Sequence, residues 1–164
     1  MSYSIKYSVP VDAAIEDVVD GIKKQVERRT YLAANELRNS ALLVLRGQRS
    51  GRRYKVPGTY RKQRDKTDGK MKRGRYYTAS APGEPPAVRT GAFRNSWQVS
   101  QTPVREIFGS FTARIESNLT TDSGHVLGEI LEDGTPRMAP RPYVDRTLEK
   151  AEPKIYRIYS EPYD

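Results

Sequence analysis

Residues 12–47 read DAAIEDVVDGIKKQVERRTYLAANELRNSALLVLRG, and this stretch decides the fold. Asp12 is the expected N-cap and Gly47 the stop of one long helix ending at about Arg46. Ile15, Val19, Ile22 and Val26 hold one face. Ala33, Leu37, Ala41 and Val44 resume it after a gap at Arg29 and Thr30, and all are expected to pack in a core. At ~1.5 Å per residue the rod is roughly 50 Å long, more than a lean domain needs. Gly21 is a candidate kink or break.

The residues outside that helix supply little more apolar material. Leu, Ile, Val and Phe make up about a fifth of the 164 residues, near the composition at which charged chains stop folding alone. Partner subunits are therefore expected to supply burial that the chain lacks. No apolar run is long enough for a membrane helix. The N-terminal text lacks the basic-then-apolar order of a secretory leader, so a non-secreted, cytoplasmic protein is expected. The absence of cysteine excludes disulfides and thiol chemistry, and a single histidine, His125, excludes a multi-histidine metal site.

Next along the chain is a charge anomaly. Arg46 to Arg75 holds 13 Lys and Arg against Asp65 and Asp68, a net of +11, while the whole chain carries +9. The excess positive charge thus sits in one stretch, a basic arm or long loop at about 46–80 of a single domain spanning 1–164. Its cations are Arg52, Arg53, Lys55, Arg61, Lys62, Arg64, Lys70, Lys72, Arg73 and Arg75, among others. Such a run attracts phosphate backbones without reading bases. Its neighbours Tyr54, Tyr60, Tyr76 and Tyr77 suit stacking on bases or packing on another subunit.

Other elements are shorter. Tyr3, Ile5, Tyr7 and Val9 alternate as a half-buried strand does, and Pro10 ends it. SAPGEPPA, Ser80 to Ala87, reads as extended polyproline-like chain. Thr90 caps a short helix that sets Phe93 and Trp97 four residues apart on one face. Val99 to Ser117 suggests two antiparallel strands turning at Gly109-Ser110, and Val126 to Leu131 is a further apolar segment. Pro142 opens a C-terminal helix that Pro153 kinks or ends. The fold class is α+β: a long N-terminal helix on a small antiparallel sheet, an extended basic loop and a short C-terminal helix.

No constellation for catalysis emerges. Glu129, Glu132 and Asp133 lie near His125, but acids beside a glycine turn more commonly form a solvated face or ion pairs. Ser96 and Ser123 occupy no nucleophile elbow, and PGEPP lacks the Gly-Lys-Ser/Thr ending of a phosphate loop. The expectation is no enzyme, no cofactor and no metal.

Two blocks in one order carry a resemblance. SAPGEPPAVRTGAFRNSW, Ser80 to Trp97, is followed by EILEDGTPRMAPRPYVDRTLEKA, Glu129 to Ala151. Behind a long helix, they resemble the minor tail-component family of long-tailed bacteriophages, the neck or tail-completion proteins of the head–tail junction. Asp133 replaces the aromatic usual before Gly-Thr, and the basic insertion is longer than the family pattern. The resemblance implies a non-catalytic α+β subunit of a ring, expected to be hexameric, around the channel that genomic DNA crosses on ejection. It implies a head-closure or adaptor protein on one side and a tail terminator or tail tube protein on the other. The chain would then reside in the host cytoplasm during assembly and in the virion afterwards. A tail terminator, or a stand-alone nucleic-acid-binding protein using 46–75, is the alternative.

Under this resemblance the subunit interface is expected at Pro82, Pro85, Pro86, Thr90, Phe93, Arg94 and Trp97, with Arg137, Met138 and Arg141. Proline-fixed dihedrals reduce the entropy lost when an extended arm docks on a neighbour. Six inward-facing arms would crowd roughly +66 charges within a screening length of ~8 Å of one another. The arm is therefore expected mainly to clasp adjacent protein, its tyrosines packed and only part of its charge reaching DNA.

Overall fold

A computed structural model describes residues 11–56, 74–100, 105–107 and 110–163. The expected strand at Tyr3–Val9 lies outside them, as do Tyr60, Arg61, Lys62, Arg64, Lys70, Lys72 and Arg73. Helix α1 spans Val11–Arg46 and runs through Gly21 without a break. Its end is fixed at Gly47, whose N–H bonds the Val44 carbonyl at 3.3 Å. Helix α4, Val144–Ser160, lies antiparallel to it. Lys154 Nζ meets Glu36 Oε2 at 2.8 Å, the Tyr159 hydroxyl reaches Thr30 Oγ1 at 3.0 Å, and Arg29 donates to the carbonyl of Glu161. The buried residues of the two helices are mostly small: Ala33, Ala34, Ser40, Ala41, Thr147 and Ala151. Small side chains let two helices approach closely. The hydroxyls of Thr30 and Thr147 are satisfied by carbonyls one turn back, at Val26 and Tyr143.

Pro153 does not end α4, which continues to Ser160. Both Pro153 and Glu149 are exposed, so water can satisfy the Glu149 carbonyl that proline leaves without an amide. The helix begins at Val144, two residues beyond the proline expected to open it.

Between the helices lie three antiparallel pairs of very short strands. β1 (Arg53–Lys55) pairs with β2 (Tyr76–Thr78), and Tyr54 faces Tyr77. After helix α2 (Ala92–Asn95), β3 (Gln98–Val99) pairs with β6 (Ile115–Glu116), and β4 (Arg105–Ile107) with β5 (Ser110–Thr112). Ile107 pairs with Ser110, and Gly109 of the expected Gly109-Ser110 turn lies outside the described residues. Helix α3 (Leu127–Asp133) occupies the apolar segment before Gly134. α1 packs on α2, β3, β5 and β6, and Arg38 Nε bonds the Trp97 carbonyl at 2.7 Å.

The expected core is corrected in its first half. Ile15, Val18, Val19 and Ile22 are 56%, 62%, 43% and 46% exposed, whereas Ala33 and Ala41 on the same helix are buried. Periodicity built a face there that the described residues leave exposed. Of the large apolar residues described, only Leu45 and Tyr143 are buried, against fifteen that are exposed.

Candidate functional site

The proline-rich segment 80–87 has few amide donors and no ladder partner, so its carbonyls need donors from elsewhere. Three arginines supply them. Arg141 Nη1 donates to the Ser80 carbonyl at 3.1 Å and also to the Ser80 hydroxyl. Arg146 Nη2 reaches the Gly83 carbonyl at 3.0 Å. Arg49 gives Nε and Nη2 to the Pro86 carbonyl at 3.3 and 3.1 Å, and Nη2 also to Val44 at the end of α1. The Gly83 amide in turn donates to the Pro140 carbonyl at 3.1 Å. The segment is thereby pinned on one side to α1 and on the other to residues 140–146.

Glu84 locks the same corner. Its carboxylate accepts from the Ser50 hydroxyl at 2.7 Å, the Ser50 amide at 3.1 Å and the Ala81 amide at 2.8 Å. The Ser50 hydroxyl first, then the two amides, hold its pKa down at about 2. Arg49 beside it is lowered from its ordinary value, chiefly by burial, with Glu84 opposing and Arg146 adding to the effect.

A second bond between the two blocks is aromatic. Phe93, Trp97 and Tyr143 meet mutually edge to face, with centroids 5.8, 5.6 and 6.0 Å apart. Such pairs add ~0.5–1.5 kcal/mol each beyond burial. The Tyr143 hydroxyl donates to the Gly128 carbonyl at 3.3 Å. Burial, then the carboxylates of Glu132, Asp133 and Glu129, push this phenol up to about 12. Glu132 is committed to structure: one oxygen accepts the amides of Tyr143 at 2.9 Å and Val144 at 3.3 Å, capping α4 from α3. His125 is exposed in the Thr121–His125 turn. Among the described residues no group of acidic or histidine side chains can hold a metal ion.

Beside this junction opens a cleft of about 540 Å³. Its walls are apolar, from Leu45, Tyr77, Phe93, Leu127 and Met138, and its rim carries Arg89 and Arg94. Tyr54 forms one lip, at the foot of the basic ribbon. That ribbon is a two-stranded ladder rather than an unstructured loop. Beyond the β1–β2 pairs it is extended by Gly51 and Arg52 bonding Ala79 and by the Val56 amide on the Arg75 carbonyl at 2.8 Å. Arg53 stacks over Tyr76 at 4.6 Å and Arg52 over Tyr54 at 5.7 Å. Arg52, Arg53, Lys55 and Arg75 are exposed. Tyr54 stacks on Tyr77 at 5.9 Å, yet Tyr54 and Tyr76 stay 45% and 47% exposed. The expected packing of these two tyrosines is therefore not achieved within the chain.

The expected interface residues divide into two groups. Pro85 and Pro86 are buried inside the chain, Phe93 and Trp97 pack on Tyr143, and Arg141 is spent on Ser80. Their contacts are intramolecular, so the proline segment lies across its own chain. Pro82, Thr90 and Arg137 are exposed, while Arg94 and Met138 line the cleft half-buried. Thr90 is not the cap expected of it: Gly91, left-handed at φ 90°, occupies the N-cap of α2, and the Thr90 hydroxyl, one residue earlier, accepts the Ala92 amide at 3.3 Å. Sequence reasoning missed Arg49, Glu84, Arg146, Glu132 and Tyr143; the surplus of carbonyls in a proline segment was the one available signal for the arginines. No family model, curated protein or solved structure matches the chain.

Proposed function

We propose that the chain is a ring-forming structural subunit of the neck of a long-tailed bacteriophage, linking the head-closure ring to the tail around the DNA channel. The observation that carries this reading is the outward placement of its apolar residues. Fifteen large apolar side chains are exposed among the described residues, against two that are buried. A subunit that completes its burial in an assembly has this profile. The two blocks that resemble the family also meet, through the arginine clasp and the aromatic triad, so they behave as one unit. No helix among the described residues is long and apolar enough to cross a membrane.

The test is particle assembly. Particles made without the chain are expected to accumulate as filled heads and free tails, and antibody labelling should fall between head and tail in complete virions. Labelling elsewhere refutes the reading. A stand-alone nucleic-acid-binding role is the second reading, favoured by the exposed Arg53, Lys55 and Tyr76 on the ribbon.

A further inference from the structure

The basic ribbon has two faces, and its register separates them. Opposed residues of an antiparallel pair share a face, and neighbours along a strand alternate. Arg53 is opposite Thr78, Tyr54 opposite Tyr77, and Lys55 opposite Tyr76. Tyr54 and Tyr77 therefore stand on one face, and Arg53, Lys55, Tyr76 and Thr78 on the other. The ring contacts agree, for Tyr54 stacks on Tyr77 and Arg53 lies over Tyr76. Tyr54, Tyr77 and Ala79 line the cleft of about 540 Å³, and none of Arg53, Lys55, Tyr76 or Thr78 does. The first face is thus turned to the chain's own cleft. The second is turned away from it, with Arg53, Lys55 and Tyr76 exposed and Thr78 half-buried. Two cations, a phenol and a hydroxyl make up this outward face, and no carboxylate stands between Gly51 and Val56 or between Gly74 and Ala79.

We infer that this outward face rests on the phosphate backbone of duplex DNA without reading its bases. Arginine, lysine, threonine and tyrosine are side chains that donate to phosphate oxygens. The centre of a protein interface is instead apolar and poor in charge, and this face carries no aliphatic side chain. A second copy offers no acidic face to receive it. Glu16, Asp17 and Asp20 on α1 are followed by Lys23 and Lys24, and α4 interleaves Asp145, Glu149 and Glu152 with Arg146, Lys150 and Lys154. The guanidinium of Arg53, lying over Tyr76, keeps its N–H donors in its own plane, so the stack orients it without spending them. Lys55 and Tyr76 also interact within the chain. Both are exposed, and an ammonium has three donors, so a phosphate adds to those contacts rather than replacing them. The inference deepens the neck reading, and rests on it for the DNA that the ribbon meets.

The test is the salt dependence of binding between full-length protein and a labelled DNA duplex, with far-ultraviolet dichroism to confirm unchanged helix content in each variant. Every cation on a phosphate contributes ~0.9 to the logarithmic slope. Arg53→Ala with Lys55→Ala should therefore make the slope shallower by about 1.8, so that between about 50 and about 200 mM salt the parent loses roughly 12-fold more affinity than the variant. Arg53→Lys, which keeps the charge, should keep the slope. Lys150→Ala with Arg157→Ala removes the same charge from exposed sites on α4 and should leave the slope as it is. Two duplexes of unrelated sequence should bind alike. An unchanged slope in the ribbon variant would place the contact elsewhere, and an equal change in the α4 variant would reduce it to overall charge. A marked preference between the duplexes would show base reading. Polyglutamate that displaces DNA as well as unlabelled duplex does would make an acidic protein the partner. Each of these outcomes overturns the inference. Junction labelling of particles is read separately: an unchanged slope with labelling intact refutes the DNA contact alone, and the expected slopes with labelling elsewhere refute the neck assignment alone.

Discussion

Gly134 and Gly83 form a matched pair for measuring how tightly the second block is closed. Both have positive φ, +78° and +77°, so alanine at either carries the left-handed penalty. Their surroundings differ. A Cβ on Gly83 meets nothing within 4 Å, whereas one on Gly134 would lie 2.6 Å from the Met138 carbonyl oxygen and 2.8 Å from the Pro140 nitrogen. Those are backbone atoms held by reciprocal Thr135–Met138 hydrogen bonds and by the Arg141 amide on the Leu131 carbonyl at 2.8 Å, so they cannot move aside cheaply. Gly83→Ala is expected to cost ~1–2 kcal/mol, the dihedral term alone. Gly134→Ala, also in a backbone region essentially reserved for glycine at ψ −169°, adds a steric cost to backbone strain, together roughly 2–6 kcal/mol. At ~2–4 °C per kcal/mol for a chain of this size, central values place the midpoints about 4 °C and about 12 °C below the parent. Thermal unfolding followed at 222 nm on the purified full-length variants reads this directly. Equal shifts for the two variants, or a Gly134→Ala chain that melts with the parent, would refute the account of the turn.

Three further outcomes follow from the same geometry. Glu84 has a folded pKa of about 2 against an ordinary 4.5, so its stabilisation is complete above 4.5 and disappears as pH falls towards 2; Glu84→Gln should remove that part of the acid-unfolding profile, and an unchanged difference curve would contradict the Ser50 contact. Glu132→Ala removes the acceptor that caps α4 and should cost about 1 kcal/mol by chemical denaturation, while Glu129→Ala, exposed on the same helix, should cost little. Full-length protein should bind duplex DNA with a shallow salt dependence, a logarithmic slope no steeper than about −3 at ~0.9 per phosphate; a slope near −10 would mean that most of the basic stretch lies on DNA rather than on protein.

Long elements were legible in the sequence, and their neighbours were not. α1 could be read because 36 residues hold one period up to Gly47. The same period cannot say what covers the stripe: Ile15, Val19 and Ile22 obey it as well as Ala33 and Ala41, yet only the latter are buried. Strands of two or three residues are too short for alternation to show, and α3 is under two turns. Arg53-Tyr54-Lys55 has no apolar alternation, and its pairing with Tyr76–Thr78 is closed by backbone bonds that any side chain permits. The clasp is non-local as well, since Arg141 and Arg146 lie about sixty residues from the carbonyls they satisfy.

The clasp also explains why arginine stands at these places rather than lysine. A polyproline-like segment offers carbonyls in several directions and few amides in return, so a single point donor satisfies one oxygen and leaves the next exposed. Arg49 spans two, reaching Pro86 from both Nε and Nη2 while Nη2 also meets Val44 at the end of α1. Its planar fork does this with little loss of freedom, whereas an ammonium on a flexible stem would have to choose. The segment is rigid before it docks, and it docks on the helices that carry the exposed stripe and the cleft wall. With so few large buried side chains among the described residues, the chain gains its fixed geometry from hydrogen bonds to a proline strap rather than from a deep core. Its large apolar side chains, among the described residues, stay mostly on the surface.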